Sequence, residues 1–183
     1  MNENRKKTMP ELNRISQENY KELHKDGLVL VLENMRSAFN VGSIFRTGDG
    51  FGVSFIYLCG ITCLPDNREL QKTALGAELS VPSAHLETAR EAINLLKKEG
   101  YTILALEQAH NSHLLYSDYF VKGKKYAIVL GNEVEGVSEE TIALADACIE
   151  IPQVGAKHSL NVANAASIVI WEFFKSKTYA PTI

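Results

Sequence analysis

The 183-residue sequence has no uninterrupted apolar run near the roughly 18 residues that a membrane span requires. Its opening stretch, MNENRKKTMPELNR, lacks the apolar centre of a secretion signal, so a cytoplasmic location is expected. An excess of cations is missing too: 19 Lys and Arg stand against 22 Asp and Glu, a formal charge of -3. Phosphate neutralisation needs local cationic density, so nucleic-acid binding by bulk electrostatics is disfavoured while a local basic patch stays open. Cysteine is scarce. Cys59, Cys63 and Cys148 are an odd number, which argues against a disulfide framework, and the C-x3-C pair has no second Cys/His pair to complete a zinc site. His110 and His113 have metal-like spacing but no third histidine or carboxylate close in sequence, so no metal is expected. Internal repeats and low-complexity linkers are absent.

What remains is an ordinary globular composition, 45% hydrophobic and 22% charged, in a chain long enough for one domain with a short appendage. Residues 1–27 are polar with a sparse helical pattern, which predicts an amphipathic arm. Its Arg5, Lys6, Lys7, Arg14, Lys21 and Lys25 are candidates for phosphate contacts, with a solvated helix face as the simpler account. From 28 to 183 the pattern is that of one domain. Short apolar runs predict strands at 28–32, 55–58, 101–106, 126–130 and 148–151. Helical periodicity predicts helices at 41–49, 87–99, 138–145 and 159–175. Such alternation implies an α/β fold with a largely parallel sheet flanked by helices. The last helix is apolar almost all round, so burial on more than one side is expected, within the chain or against a second subunit.

Local rules break in three places. In 34–53, NMRSAFNVGSIFRTGDGFGV, Gly42, Gly48, Gly50 and Gly52 fall in or beside a helical pattern, where each costs about 0.5–1 kcal/mol relative to alanine. Close approach of the backbone to a ligand or to another chain segment would favour them; so would a glycine-rich helix stop. GDGFG is no dinucleotide loop, because it closes a helix and does not open one after a strand. Asn40 and Arg46, six residues apart, do not share a helix face cleanly, yet both can reach one cleft. In 126–138, YAIVLGNEVEGVS, a buried strand runs straight into Gly131, Asn132 and Glu133, the edge at which open α/β sheets hold ligands. Ser138 with Glu139 and Glu140 reads as a helix cap followed by an acidic first turn. In 149–171, a strand end meets Pro152 and Gly155, then His158, Ser159, Leu160 and Asn161 at the start of the apolar helix. Ser159 is the expected N-cap. Asn161 and Asn164 need partners, since an unpaired buried polar group costs about 1–3 kcal/mol, and a polar site at that helix end would supply them.

At these three segments the sequence strongly resembles the SpoU, or TrmH-like, branch of the SPOUT RNA methyltransferases. The first motif of that family, Asn with Gly two and Arg six residues on, matches Asn40, Gly42 and Arg46. The second matches Gly131, Glu133, Gly136, Val137 and Ser138, and the third Ile151, Pro152, Ser159, Leu160, Asn161 and Val162. All three occur in the family's order. Gln153 stands where many relatives have Met.

The resemblance implies a C-terminal trefoil knot in the α/β domain, a homodimer, and S-adenosylmethionine as cofactor. By analogy the cofactor residues are Leu106, Leu130, Gly131, Asn132, Ile151, Gln153 and Leu160, while the functional polar set is Asn40, Arg46, Glu133, Ser159 and Asn161. The implied reaction is methyl transfer to a ribose 2'-hydroxyl of tRNA or rRNA. In it Arg46 would hold the RNA phosphate, Asn40 and Asn161 would orient the ribose or Arg46, Ser159 would bond near the reacting centre, and Glu133 would organise the loop and Arg46. Direct displacement requires no metal. One alternative is a non-catalytic RNA-binding or ribosome-assembly dimer of the same fold. Another is a doubly wound nucleotide-dependent oxidoreductase, against which the missing glycine fingerprint after the first strand speaks.

Overall fold

A computed structural model of the protein describes residues 5–8, 10–12, 27–116, 119–156 and 159–178. The centre of the fold is LVLVLE, strand β1 (Leu28–Glu33), buried at every position. A strand shielded on both faces needs no polar alternation, which is why its sequence reads as a continuous apolar run. Around it lie β2 (Phe55–Cys59), β3 (Ser83–Leu86), β4 (Thr102–Leu106), β5 (His113–Leu114), β6 (Tyr126–Leu130) and β7 (Ala147–Glu150). They form one seven-stranded sheet in the order β3-β2-β1-β6-β4-β7-β5. Every pairing in it is parallel.

The connecting helices are α1 (Ala38–Phe51), α2 (Arg68–Ala74), α3 (Ala77–Ser80), α4 (Ala89–Lys98), α5 (Glu139–Leu144) and α6 (Val162–Thr178). Alternate residues of β1 feed two cores. Leu28, Leu30 and Leu32 join Val41, Ile44 and Phe45 of α1 and Ala166, Val169 and Ile170 of α6 on one face. Val29 and Val31 join Ala92, Ile93 and Leu96 of α4 on the other. At about 1.5–3 kcal/mol for each large side chain removed from water, these two layers are the main favourable term in folding.

Each predicted strand and helix of residues 28–183 has its counterpart, with ends displaced by a few residues. Strands β3 and β5 and helices α2 and α3 are additions. Helix α6 begins three residues later than expected and runs past 175. On α4, Leu95 is 42% exposed, outside the buried face formed by Ala89, Ala92, Ile93 and Leu96. The helical arm expected at 1–27 falls mainly outside the described residues; within it, Pro10–Leu12 form one 3-10 turn and Arg5 pairs with Glu11. No helix among the described residues is long and apolar enough to cross a membrane.

The order of the sheet has a topological consequence. From β4 the chain runs out to β5 on the far edge, returns to β6 in the middle, and then lays β7 between β4 and β5. Strand β7 is therefore laid last, between two strands that precede it in the chain, an order compatible with the expected threading.

Candidate active site

Strands β1, β4, β6 and β7 are parallel, so their carboxyl ends meet along one edge of the sheet. A cleft of about 410 Å³ opens there, within the usual size range of small-molecule sites. All seven residues expected at the cofactor line it: Leu106, Leu130, Gly131, Asn132, Ile151, Gln153 and Leu160. Glu133, Ser159 and Asn161 line it too. Leu106, Leu130, Ile151 and Leu160 can enclose a flat apolar ring. Glu107, Glu133, Glu135 and Glu150 add carboxylates, and none of the lining residues described is cationic, so the cleft suits a ligand that carries positive charge.

The loop after β6 is folded tightly on itself. Asn132 and Gly136 exchange backbone hydrogen bonds of 3.0 and 2.9 Å, and the Asn132 side chain accepts from Val134 N at 2.8 Å while donating to Asn34 O at 2.8 Å. A Cβ on Gly131 would come within 2.1–2.2 Å of the Gly136 and Val137 backbone. Gly131 thus admits the closure of this loop while lining the cleft.

Glu133, at the tip of the loop, reaches across to the start of α1. Its carboxylate accepts from Ser37 N at 2.9 Å, Arg36 N at 3.0 Å and Asn40 Nδ2 at 2.9 Å. Burial pushes its pKa up, but the hydrogen bonds from Arg36, Asn40 and Ser37 together outweigh that and hold it below the ordinary value. Both of its carboxylate oxygens are engaged at the helix start, and it makes no direct contact with Arg46. Asn40 continues the chain of contacts: its Oδ1 accepts from Asn161 Nδ2 at 3.2 Å. One residue from each of the three motifs is thereby joined in a single hydrogen-bonded run, Glu133 to Asn40 to Asn161.

Asn161 also corrects the expected cap of α6. Its Oδ1 accepts from Ala163 N at 2.9 Å and Asn164 N at 3.3 Å, so it, and not Ser159, is the capping side chain. Ser159 lies two residues earlier, exposed at the cleft. Arg46 stands apart from this run, two turns into α1, exposed and without a hydrogen bond or ion pair to any described residue. Gly42 answers the question of the glycine-rich helix: a Cβ there would lie 2.1 Å from Thr73 Oγ1 and 2.3 Å from Leu70 O, so it admits α2 and not a ligand.

Two supporting carboxylates escaped sequence reasoning. Glu33, 6% exposed at the end of β1, accepts from Ser138 N and Oγ at 3.0 and 2.7 Å and from Thr141 Oγ1 at 2.7 Å. Glu107, just after β4, accepts from Val137 N at 2.9 Å. The signal was available: each is an acidic residue at or directly after the carboxyl end of a buried strand, where a neighbouring loop presents N–H groups.

The profile of the SpoU rRNA Methylase family matches residues 27–171. Among sequence relatives, the chain is 32% identical over 82% of its length to the tRNA (guanosine(18)-2'-O)-methyltransferase TARBP1 of Mus musculus, 9% of which is covered. It is 30% identical over 82% of its length to a Staphylococcus saprophyticus protein assigned to the TrmH family of tRNA/rRNA methyltransferases, 59% of which is covered. The chain thus spans less than two thirds of each of these relatives. A crystal structure of an AdoMet-bound rRNA methyltransferase from Sinorhizobium meliloti superposes with a TM-score of 0.73 at 29% identity, over 84% of this chain and 59% of that one. The seven-stranded parallel sheet with its late-inserted β7 is that of the SPOUT fold, and by sequence and architecture together the chain belongs to the SpoU methylase family.

Proposed function

We propose that this protein is an S-adenosylmethionine-dependent methyltransferase acting on a ribose 2'-hydroxyl of tRNA or rRNA. The main support is the run Glu133, Asn40, Asn161, which ties all three motifs to a cleft with apolar walls and an acidic lining. When bound, S-adenosylmethionine supplies an electrophilic methyl group on a cationic sulfur. Leu106, Leu130, Ile151 and Leu160 would enclose its adenine, with Gly131, Asn132 and Gln153 completing the wall. The acidic lining favours the positive charge. Arg46, through its cationic guanidinium, holds an RNA phosphate and so positions the ribose. Ser159 and Asn161, which line the cleft, would orient the ribose hydroxyl for transfer. Glu133 acts at one remove, by fixing the start of the helix that carries Arg46.

The working unit is a homodimer. Ile168 and Trp171, three residues apart on α6, are 37% and 40% exposed, and Trp171 stacks on Phe174 at 5.8 Å beside Phe51 of α1. An apolar stripe of this kind calls for a covering surface, and a second copy provides a self-complementary one.

Radiolabelled methyl transfer to unmodified tRNA and rRNA, followed by mapping of the 2'-O-methylated nucleotide, tests the assignment. Arg46→Ala is expected to lower transfer by at least about tenfold, the scale of one lost positioning contact, while cofactor binding is unchanged. Near-normal transfer by a folded Arg46→Ala would remove Arg46 from its role. Cofactor binding without transfer to any RNA would favour a non-catalytic RNA-binding dimer.

A further inference from the structure

Phe39 lies in the first turn of α1, beside Asn40, with 48% of its surface exposed and no ring contact to any described residue. Its backbone is nevertheless held firmly. Its carbonyl accepts from Ser43 Oγ at 2.8 Å and from Thr73 Oγ1 at 3.1 Å, and the neighbouring Asn40 is tied to Glu133 and Asn161. Phe39, Ser43 and Arg46 follow one another at i, i+4 and i+7 and share a face of α1, with Arg46 about 10 Å along the axis from Phe39. Arg36 precedes the helix: Glu133 binds its backbone N–H, while its exposed side chain has no partner among the described residues. An exposed aromatic ring on a well-anchored stretch of backbone is thus flanked along the chain by two guanidiniums without partners among the described residues, in a protein whose net charge is negative.

We propose that Phe39 is a stacking platform for an unpaired nucleobase of the RNA, with Arg36 and Arg46 on the phosphates to either side. This deepens the methyltransferase reading and rests on it: the substrate nucleotide belongs to a single-stranded loop. Bases inside a paired A-form helix offer no free face to a protein ring, whereas splayed-out loop bases stack on aromatic side chains. A second copy of this chain is the poorer occupant. Across a two-fold axis it would bring its own Arg36 and Arg46 toward the same pair, like charge against like.

Fluorescence anisotropy with a labelled single-stranded RNA oligonucleotide, and with the same strand annealed to its complement, decides the matter. The wild-type protein is expected to prefer the single strand. Phe39→Ala should weaken single-strand binding by about 5- to 150-fold, the range set by loss of one base–aromatic stack, and leave duplex binding, cofactor affinity and sedimentation unchanged. Phe39→Trp should restore binding, and its added fluorescence should be quenched by the single strand. Unchanged single-strand affinity in Phe39→Ala overturns the proposal, as does conversion of a dimer to a monomer, which would assign the ring to a second copy. The enzymatic reading fails separately: protein that binds the single strand through Phe39 but transfers no methyl group leaves this surface standing without that reaction. Methyl transfer with an unchanged KM in Phe39→Ala removes the surface and keeps the reaction.

Discussion

Glu133 spends its charge on a helix start. Two backbone N–H groups and the Asn40 amide hold its carboxyl below the ordinary value of 4.5, so the folded protein binds this proton less tightly than the unfolded chain. Its contribution to stability is therefore full above 4.5 and is lost as pH falls through the lowered value. Melting temperatures of wild type and Glu133→Gln should differ at neutral pH and converge in acid. A gap that stays constant with pH would show that the charge is idle. Cys59 makes the opposite case: burial first, then Glu33 and Glu91, push its thiol up to about 12. Iodoacetamide at pH 8 should leave Cys59 unmodified in the native protein and react with it once the chain is unfolded. That Glu133 belonged to the site was legible, because a glycine-flanked acid at a strand end is a local pattern. Its true partners were not, since Asn40 lies 93 residues away and nothing in local sequence encodes that meeting.

Helix α1 is shaped by its neighbour. Gly42 lets the backbone of α2 approach until a Cβ would collide with Leu70 O. Because that obstacle is backbone, Gly42→Ala should force the two helices apart and cost on the order of 1–3 kcal/mol. At this chain length such a loss lowers Tm by roughly 2–4 °C for each kcal/mol, readable by calorimetry. An unchanged Tm would mean that α2 yields freely. Sequence alone flagged the glycine without choosing between ligand and helix, because α2 is short, polar and capped by Asn67 instead of being announced by a long apolar face. The start of α6 was misread for a related reason. Ser-Leu-Asn offers two side chains of capping type, and the choice depends on which oxygen reaches the first free N–H groups; Asn161 does. Asn161→Ala is expected to cost about 1 kcal/mol of stability through the cap alone. Strand β5, two exposed residues long, carries no pattern to read.

The parallel α/β architecture was visible in the alternation of apolar runs and helices, but the order of the strands was not. Strand order depends on which connection passes where, and the family resemblance implied a threaded C-terminal part without giving that order. The exposed stripe on α6 belongs to the same level. If a second copy covers Ile168 and Trp171, Ile168→Asp places a charge in an apolar contact and should weaken self-association by about tenfold or more in sedimentation equilibrium. Equal association constants for variant and wild type would put the interface elsewhere. The late insertion of β7 carries a further consequence, one of time. During synthesis β1, β2 and β3 emerge first, yet β1 waits for β6 to cover its open flank, and β7 arrives last, between strands already made. A nascent polypeptide of this kind shields its greasy interior late, a delay that makes holding chaperones natural companions of its birth.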